Sequence, residues 1–367
     1  MLNNGMDPIL PSLVYLSLFL SAFFWLMCLL GIAFFYYQDY RYKRYYAKIY
    51  PVLRDFVYEN VLIGNVTHHF PIDKLDIEWH KPIVRKVVRR VLHEFIFNIG
   101  GEKGKNMCNL FNEMGFDREA QYELRHPAKH STATIRSLSD LTLMQVHIKD
   151  TIVEDLLIDP KTDVRVATYK YLLQVYGEAA FDRVFKMIHG ISELDSIDIY
   201  QSIIATDYVG EYAFHQWLGT HKTFAVNKLF MNLMVHFQQL NEETLWWLID
   251  TSTDERTQLK AINTLGKLLA YRSEARLRTL YDECEKEKFK IEILKAIGRL
   301  GQGHSLHFLA DIFEQDQSSI LLKKNAFRSL LSQRPYSHPI LKDMEKRLSP
   351  EDLKLTRYVS HPITHYI

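Results

Sequence analysis

No Asp, Glu, Lys or Arg occurs between Asp7 and Asp39, and the run from Ile9 to Tyr37 reads ILPSLVYLSLFLSAFFWLMCLLGIAFFYY. Spanning the hydrocarbon core takes about 20 apolar residues in a helix. The run exceeds that with length to spare for tilt, so residues 9–37 are expected to cross a membrane and residues 1–38 to form an anchor. A cleaved signal peptide needs a basic n-region, a short apolar stretch and a small-residue cleavage site, and this start carries no basic residue. Immediately downstream, DYRYKRYYAKIY brings Arg41, Lys43, Arg44 and Lys48 against a single Asp39. The positive-inside bias then puts these four at the membrane interface, the N-terminus outside, and the rest of the chain on the cytoplasmic side of an inner (plasma) membrane. Tyrosines 36, 37, 40, 42, 45 and 46 suit the aromatic belt there. Ser17 and Ser21, four apart, would let another helix approach closely, but such pairs are common by chance, and a lipid-facing anchor with incidental small residues is the favoured reading. Trp25 sits near the middle of the run. Residues 39–80 read as a basic juxtamembrane linker. Asn65-Val66-Thr67 matches a glycosylation acceptor, but on the cytoplasmic side it would not meet the modifying enzyme.

From residue 81 to 348 the apolar positions fall at three-to-four spacing, and the pattern repeats. Leu259-Lys260-Ala261-Ile262-Asn263-Thr264-Leu265-Gly266 recurs as Leu294-Lys295-Ala296-Ile297-Gly298-Arg299-Leu300-Gly301, a spacing of 35 positions. A degenerate copy, Asn325 to Leu331, places Ala326 30 positions after Ala296. Upstream, Ala133 to Leu138 and Val166 to Leu172 share the small-then-apolar cadence 33 positions apart, and fainter copies fall at Ile199 to Ile204 and Lys228 to Leu233. Each unit reads as two helices. After Gly301-Gln302-Gly303, the residues Leu306, Leu309, Ala310, Ile312 and Phe313 form an amphipathic face. A polar stretch, Glu314 to Ser319, then offers capping side chains to a helix whose apolar face is Ile320, Leu321, Ala326, Phe327, Leu330 and Leu331. The recurring alanine suits close contact between stacked helices. Residues 349–367, SPEDLKLTRYVSHPITHYI, show no helical period and read as a peripheral tail.

LKAIGRLGQGHSLHFLADIFEQDQSSILLKKNAFRSLL resembles a short bacterial HEAT repeat of the membrane-anchored type, clearest over about residues 255–335. The resemblance implies an all-α fold: an α-solenoid of about seven helix pairs behind one transmembrane helix. Tetratricopeptide repeats, of similar pitch, are the alternative, but their Trp, Gly and Tyr signature does not recur in step. What such repeats imply is a protein-binding surface, here a scaffold. Some similar anchored bacterial proteins accompany membrane glycosyltransferases that make envelope polysaccharide, which implies a membrane-associated complex as partner.

Composition adds limits. The 45 Lys+Arg and 44 Asp+Glu leave a formal charge of +1, which is not the signature of a dedicated nucleic-acid binder. Hydrophobic residues at 47% and charged residues at 24% exclude a mainly disordered chain and a polytopic membrane protein. Only 15 Gly and 11 Pro favour helices over turn-rich β architecture. Cys28, Cys108 and Cys284 are odd in number and far apart, so neither a disulfide framework nor a zinc site is indicated, and a reducing compartment fits.

Local chemistry is sparse. Lys81, Arg85, Lys86, Arg89 and Arg90 have no acidic residue among them between Glu78 and Glu94, and the pairs 85/89 and 86/90 lie one helical turn apart. This stripe would meet anionic headgroups or an acidic partner near the membrane, or form a solvated face beside Val84, Val87, Val88, Val91 and Leu92. Gly100 to Asn106 is one residue short of a phosphate loop, ends in Asn where a hydroxyl is needed, and reads as an interhelix turn. His93-Glu94 begins like a zincin helix but lacks the second His. His304/His307, His126/His130 and His361/His365 have helical ligand spacing with no arranged Cys or carboxylate. No metal, cofactor or catalytic residue is expected. Trp217, Trp246 and Trp247 are candidate partner-binding aromatics, although core packing is the commoner use of Trp. Against the scaffold stand two other classes: a HEAT-type enzyme, lyase-like or base-removing, whose residues converge only in space, and a lipid-surface sensor using the basic stripe. A pocket of convergent ionisable groups favours the enzyme, and an open groove with aromatics favours the scaffold.

Overall fold

A computed structural model describes residues 9–64, 69–99, 101–125, 131–206, 212–315 and 319–361, with only the backbone path of residues 9–14. All its regular structure is helical, with no strand among the described residues. The chain forms two compact units that divide between Ile152 and Val153.

The first unit contains α1 (Ile9–Val57), α2 (Pro82–Ile96), α3 (Gly101–Glu113), α4 (Phe116–Arg125) and α5 (Ser131–Leu143). In α1 the most apolar 18-residue stretch has a mean hydropathy of 2.4, and none of it is buried within the protein. Length and composition thus make α1 able to cross a membrane. Ser17, Ser21 and Trp25 are all exposed on it. The helix does not stop at the basic cluster. Ile49, Leu53, Phe56 and Val57 recur at helical spacing and are buried against Val84, Val87, Val88, Val91 and Leu92 of α2, so apolar burial carries α1 on to Val57. The stretch read as a linker is therefore largely a helix built into a core. A π-helical turn, Tyr58–Ile63, ends it. The sequon at 65–67 lies outside the described residues.

The glycine-rich stretch after Ile99 is likewise helical. Gly100 is outside the described residues, but Gly101 to Asn106 form the opening turns of α3, because Met107, Leu110 and Phe111 need a helix to bury one face. The reversal comes earlier, at Phe97 to Ile99.

A short helix, α6 (Asp150–Leu157), carries the division between the units. In the second unit follow α7 (Thr162–Tyr176), α8 (Phe181–Met187), α9 (Glu193–Ile204), α10 (Phe224–His236), α11 (Glu242–Thr251), α12 (Glu255–Lys267), α13 (Glu274–Glu283), α14 (Glu287–Leu300), α15 (Leu306–Glu314), α16 (Ile320–Ser332), α17 (Arg334–Met344) and α18 (Pro350–Ser360). The helices α7, α9, α10, α12, α14, α16 and α18 pack each on the next, while α11, α13 and α15 lie against α12, α14 and α16. The octets occupy α12 and α14, and the fainter copies fall on α9 and α10. Small residues make the closest contacts. A methyl placed on Gly266 would meet Ala296 Cα at 2.7 Å, and one on Gly298 would meet Ser329 Cβ at 2.7 Å. Gly301 closes α14 in the left-handed conformation at φ 68°, where a Cβ is strained.

Polar links keep the same period. Ser273 donates to Glu242 and Ser305 to Glu274, 31 positions apart in both cases. Lys170 pairs with Asp198 and Lys260 donates to Asn232, each across 28 positions. Ser319 caps α16 by accepting from Leu322 N–H, as its place in the polar stretch predicts. The C-terminal segment differs from the expected tail. Ser349 accepts from Asp352 N–H, Pro350 occupies the first turn, and Thr356 and Val359 are buried, so α18 is a capped, packed helix. Residues 362–367, including His365, lie outside the described residues.

Candidate functional site

The concentration of charge lies in the first unit, on the side of α2 away from its valines. Helical spacing that sends Val84, Val88 and Val91 into the core turns Arg85 and Arg89 toward α4 and α5. Arg85 Nη2 and Arg89 Nη2 reach the same oxygen, Glu119 Oε2, at 2.9 and 3.0 Å. Both guanidiniums also lie over the Phe116 ring, at 4.8 and 5.3 Å from its centroid. The other amine of Arg89, Nη1, is 3.2 Å from Asp140 Oδ2, and His93 Nε2 is 3.2 Å from Asp140 Oδ1.

Asp140 is the buried member, its side chain 2% exposed. It sits on the α5 face formed by Thr134, Ser137, Leu138 and Leu141. Loss of solvent pushes its carboxyl up to about 6, with Arg89 and Arg136 opposing and Glu123 and Glu119 assisting. Burial lowers His93 to about 4, and the charges of Arg89 and Arg90 add to this. At neutral pH, Asp140 is therefore ionised and His93 neutral. Arg89 Nε, His93 Nε2 and Asp140 Oδ2 are buried without an aligned hydrogen-bond partner, so Arg89 meets Asp140 as a charge contact and the neutral His93 ring lies beside that carboxylate without an aligned hydrogen bond.

From α1, the Tyr46 hydroxyl donates to Glu94 Oε2 at 2.6 Å, and Arg90 Nε donates to Glu94 Oε1 at 3.0 Å. That hydrogen bond, with burial, pushes the Tyr46 phenol up to about 12. The Ser137 hydroxyl donates to Glu123. Between these helices is a cavity of about 870 Å³, lined by residues of α1, α2, α4 and α5 that include Arg136, Glu123 and Lys86.

The five residues of the basic stripe thus separate. Arg85 and Arg89 turn inward to carboxylates, Lys81 pairs with Glu78 at 2.6 Å, Arg90 pairs with Glu94, and Lys86 lies over the Tyr42 ring. Of the cations that follow the apolar run, Lys43 pairs with Asp39 at 2.7 Å, and Arg41 lies over Tyr37, 5.8 Å from the ring centroid. Arg44 and Lys48 are exposed. His93, set aside in the sequence as half of an incomplete zincin motif, faces Asp140. Asp140, Glu119, Glu123 and Arg136 carry no motif. The one signal for Asp140 is a carboxylate at a position where the α5 period calls for a small or apolar residue.

The three tryptophans lie in the second unit and have different surroundings. Trp217 donates from Nε1 to the Tyr212 hydroxyl at 2.8 Å and packs with Phe185 and Phe230. Trp246 is buried, donates to Ser273 and lies under Arg276 at 4.1 Å. Trp247 is 43% exposed. No group of three or more His, Cys, Asp or Glu side chains suited to a metal ion occurs among the described residues. His126 and His130 lie outside them. No protein-family model and no curated protein matches the chain.

Proposed function

We propose that the protein is a membrane-anchored scaffold, in which α1 crosses an inner (plasma) membrane once and a cytoplasmic HEAT-like solenoid binds a partner protein. One observation carries this reading: the unbroken succession α7, α9, α10, α12, α14, α16 and α18, each packed on the next with a polar link near every 30 positions. A quasi-one-dimensional array of this kind offers a long surface built from equivalent positions. Trp247, exposed beside the buried Trp246, supplies an aromatic anchor on it. The anchor confines that surface to the bilayer, which raises the effective concentration of a membrane-bound partner so that modest affinity suffices. The resemblance noted in the sequence points to a membrane glycosyltransferase complex of envelope polysaccharide synthesis as the partner. No nucleic acid and no cofactor enters this reading.

The test is affinity purification of the full-length protein from gently solubilised membranes, beside a control retaining residues 1–64 alone. A stoichiometric membrane enzyme held by the full chain and absent from the control supports the scaffold. Its absence under several detergents removes that support. Protease added to sealed inverted and right-side-out vesicles reports orientation: digestion of the array in inverted vesicles alone fits a cytoplasmic array.

A further inference from the structure

A second opening shares Asp39, Tyr42, Pro82 and Lys86 with the polar cavity and continues from it along α1. It has a volume of about 530 Å³ and is also lined by Gln38, Arg41 and Ile83. With a rise of 1.5 Å per residue, Gln38 to Tyr42 lie within about 8 Å of the last residue of the apolar run. That is the depth of the polar headgroup zone, about 5–8 Å on each side of the hydrocarbon core. The cleft therefore connects the membrane surface to the charged cavity.

The charges left over in that cavity are of both signs. Among the described residues, Lys86 and Arg136 pair with no carboxylate, and Glu123 accepts from Ser137 but pairs with no cation. Arg89 Nε is a buried donor without a hydrogen-bond partner, and Asp140 Oδ2, already ion-paired with Arg89 Nη1, accepts no aligned hydrogen bond. A simple anion would satisfy the cations and leave Glu123 unanswered. A phosphodiester bearing a primary ammonium answers both, since its phosphate oxygens accept from the cations and its N–H groups donate to Glu123.

We propose that this cavity is a headgroup pocket for a membrane phospholipid of the ethanolamine class, with Lys86 and Arg136 on the phosphate and Glu123 on the ammonium. The inference rests on the membrane anchor of the reading above and is independent of the scaffold. Choline has no N–H to donate and a glycerol headgroup has no cation, so neither satisfies Glu123.

The experiment reconstitutes full-length protein into nanodiscs of mixed ethanolamine, choline and glycerol phospholipids and identifies the retained lipids by native mass spectrometry. The same is done with Lys86→Ala/Arg136→Ala and Glu123→Gln, and with soluble glycerophosphoethanolamine added to protein in detergent. Lys86 and Arg136 are exposed and Glu123→Gln is isosteric, so the fold tolerates these changes, as circular dichroism verifies. Ethanolamine lipid is expected to be retained about tenfold over choline lipid. Glu123→Gln should abolish that preference, and the double variant should weaken retention of all phospholipids. Equal retention of the three lipids, or a preference unchanged in Glu123→Gln, overturns the proposal. Tight binding of the soluble phosphoester without a bilayer reassigns the ligand to a free metabolite and overturns the lipid source. A protein that does not enter nanodiscs overturns the anchor instead, which keeps the two failures distinct.

Discussion

The carboxylate of Asp140 on α5 lies 3.2 Å from the Arg89 guanidinium on α2, with the Arg89 side chain 12% exposed and that of Asp140 2%. Removing one member of a buried pair strands the other, at a cost of about 3–5 kcal/mol. Glu119 still meets Arg89 in Asp140→Asn, and burial already opposes the Asp140 charge, so the cost at neutral pH falls below that range, about 1 kcal/mol. Hydrogen exchange read by mass spectrometry is expected to rise about fivefold in peptides of α2 and α5 and to stay unchanged in α12 and α14. Arg90→Ala, which removes an exposed ion pair, should alter α2 exchange hardly at all. Equal exchange in wild type and Asp140→Asn would sink the assignment of Asp140 as a structural partner.

The same pair makes opposing contributions as pH falls. Asp140, raised to about 6, binds its proton more readily in the folded state than in the unfolded one, so its contribution to stability grows as pH drops from about 6 to 4. His93, lowered to about 4 from the usual 6.5, resists protonation when folded, so its contribution is lost over nearly the same interval. Relative to wild type, Asp140→Asn should therefore lose stability between pH 6.5 and 4, and His93→Gln should gain it. Melting curves at half-unit pH steps, followed by exchange in α2, check the two signs. Variants that move in the same direction would contradict the assigned shifts.

Local pattern reveals one half of this molecule better than the other. The octets locate α12 and α14, and even the faint copies at 199–204 and 228–233 fall on helices, because each such helix packs through its own period. The first unit is harder to read. Ala133 to Leu138 carries the repeat cadence, yet α5 packs within the first unit beside α4 and α2, where long-range contacts decide its place. Ser349-Pro350-Glu351-Asp352 has the capping chemistry of a helix start, but Thr356 and Val359 give it too narrow an apolar face to stand out. The charged cavity was least legible, since Tyr46, Arg89, Glu119 and Asp140 come from four helices and meet only through folding. The pairing of Arg85 and Arg89 is not legible in sequence because their carboxylate partners, Glu119 and Asp140, are 30 or more positions away.

Helix α12 approaches α14 at Gly266, where a Cβ would stand 2.7 Å from Ala296 Cα. Backbone on the far side cannot turn aside as a flexible side chain can. Gly266→Ala gains about 1 kcal/mol of helix propensity but incurs overpacking of about 1–3 kcal/mol. The net expectation is a melting temperature lowered by about 2–5 °C. Gly298→Ala should behave alike, since its methyl would run into Ser329, whose hydroxyl donates to Leu294 O. Unchanged or raised melting in both variants would show that the stack tolerates wider spacing than its small residues imply.

Trp246 and Trp247 are neighbours in sequence with different surroundings. Trp246 fills the space between α11 and the segment at Ser273, donating to that hydroxyl at 2.8 Å, so Trp246→Ala is expected to destabilise the second unit by about 3–5 kcal/mol. Trp247 is exposed and makes no comparable contact among the described residues, so Trp247→Ala should leave stability within about 0.5 kcal/mol of wild type. If Trp247 anchors a partner, its loss should nevertheless weaken capture by about 2 kcal/mol, or thirtyfold. Parallel melting and pull-down of the two variants distinguish the roles. A Trp247→Ala protein that melts as wild type and retains its partner undiminished would move the binding surface away from α11.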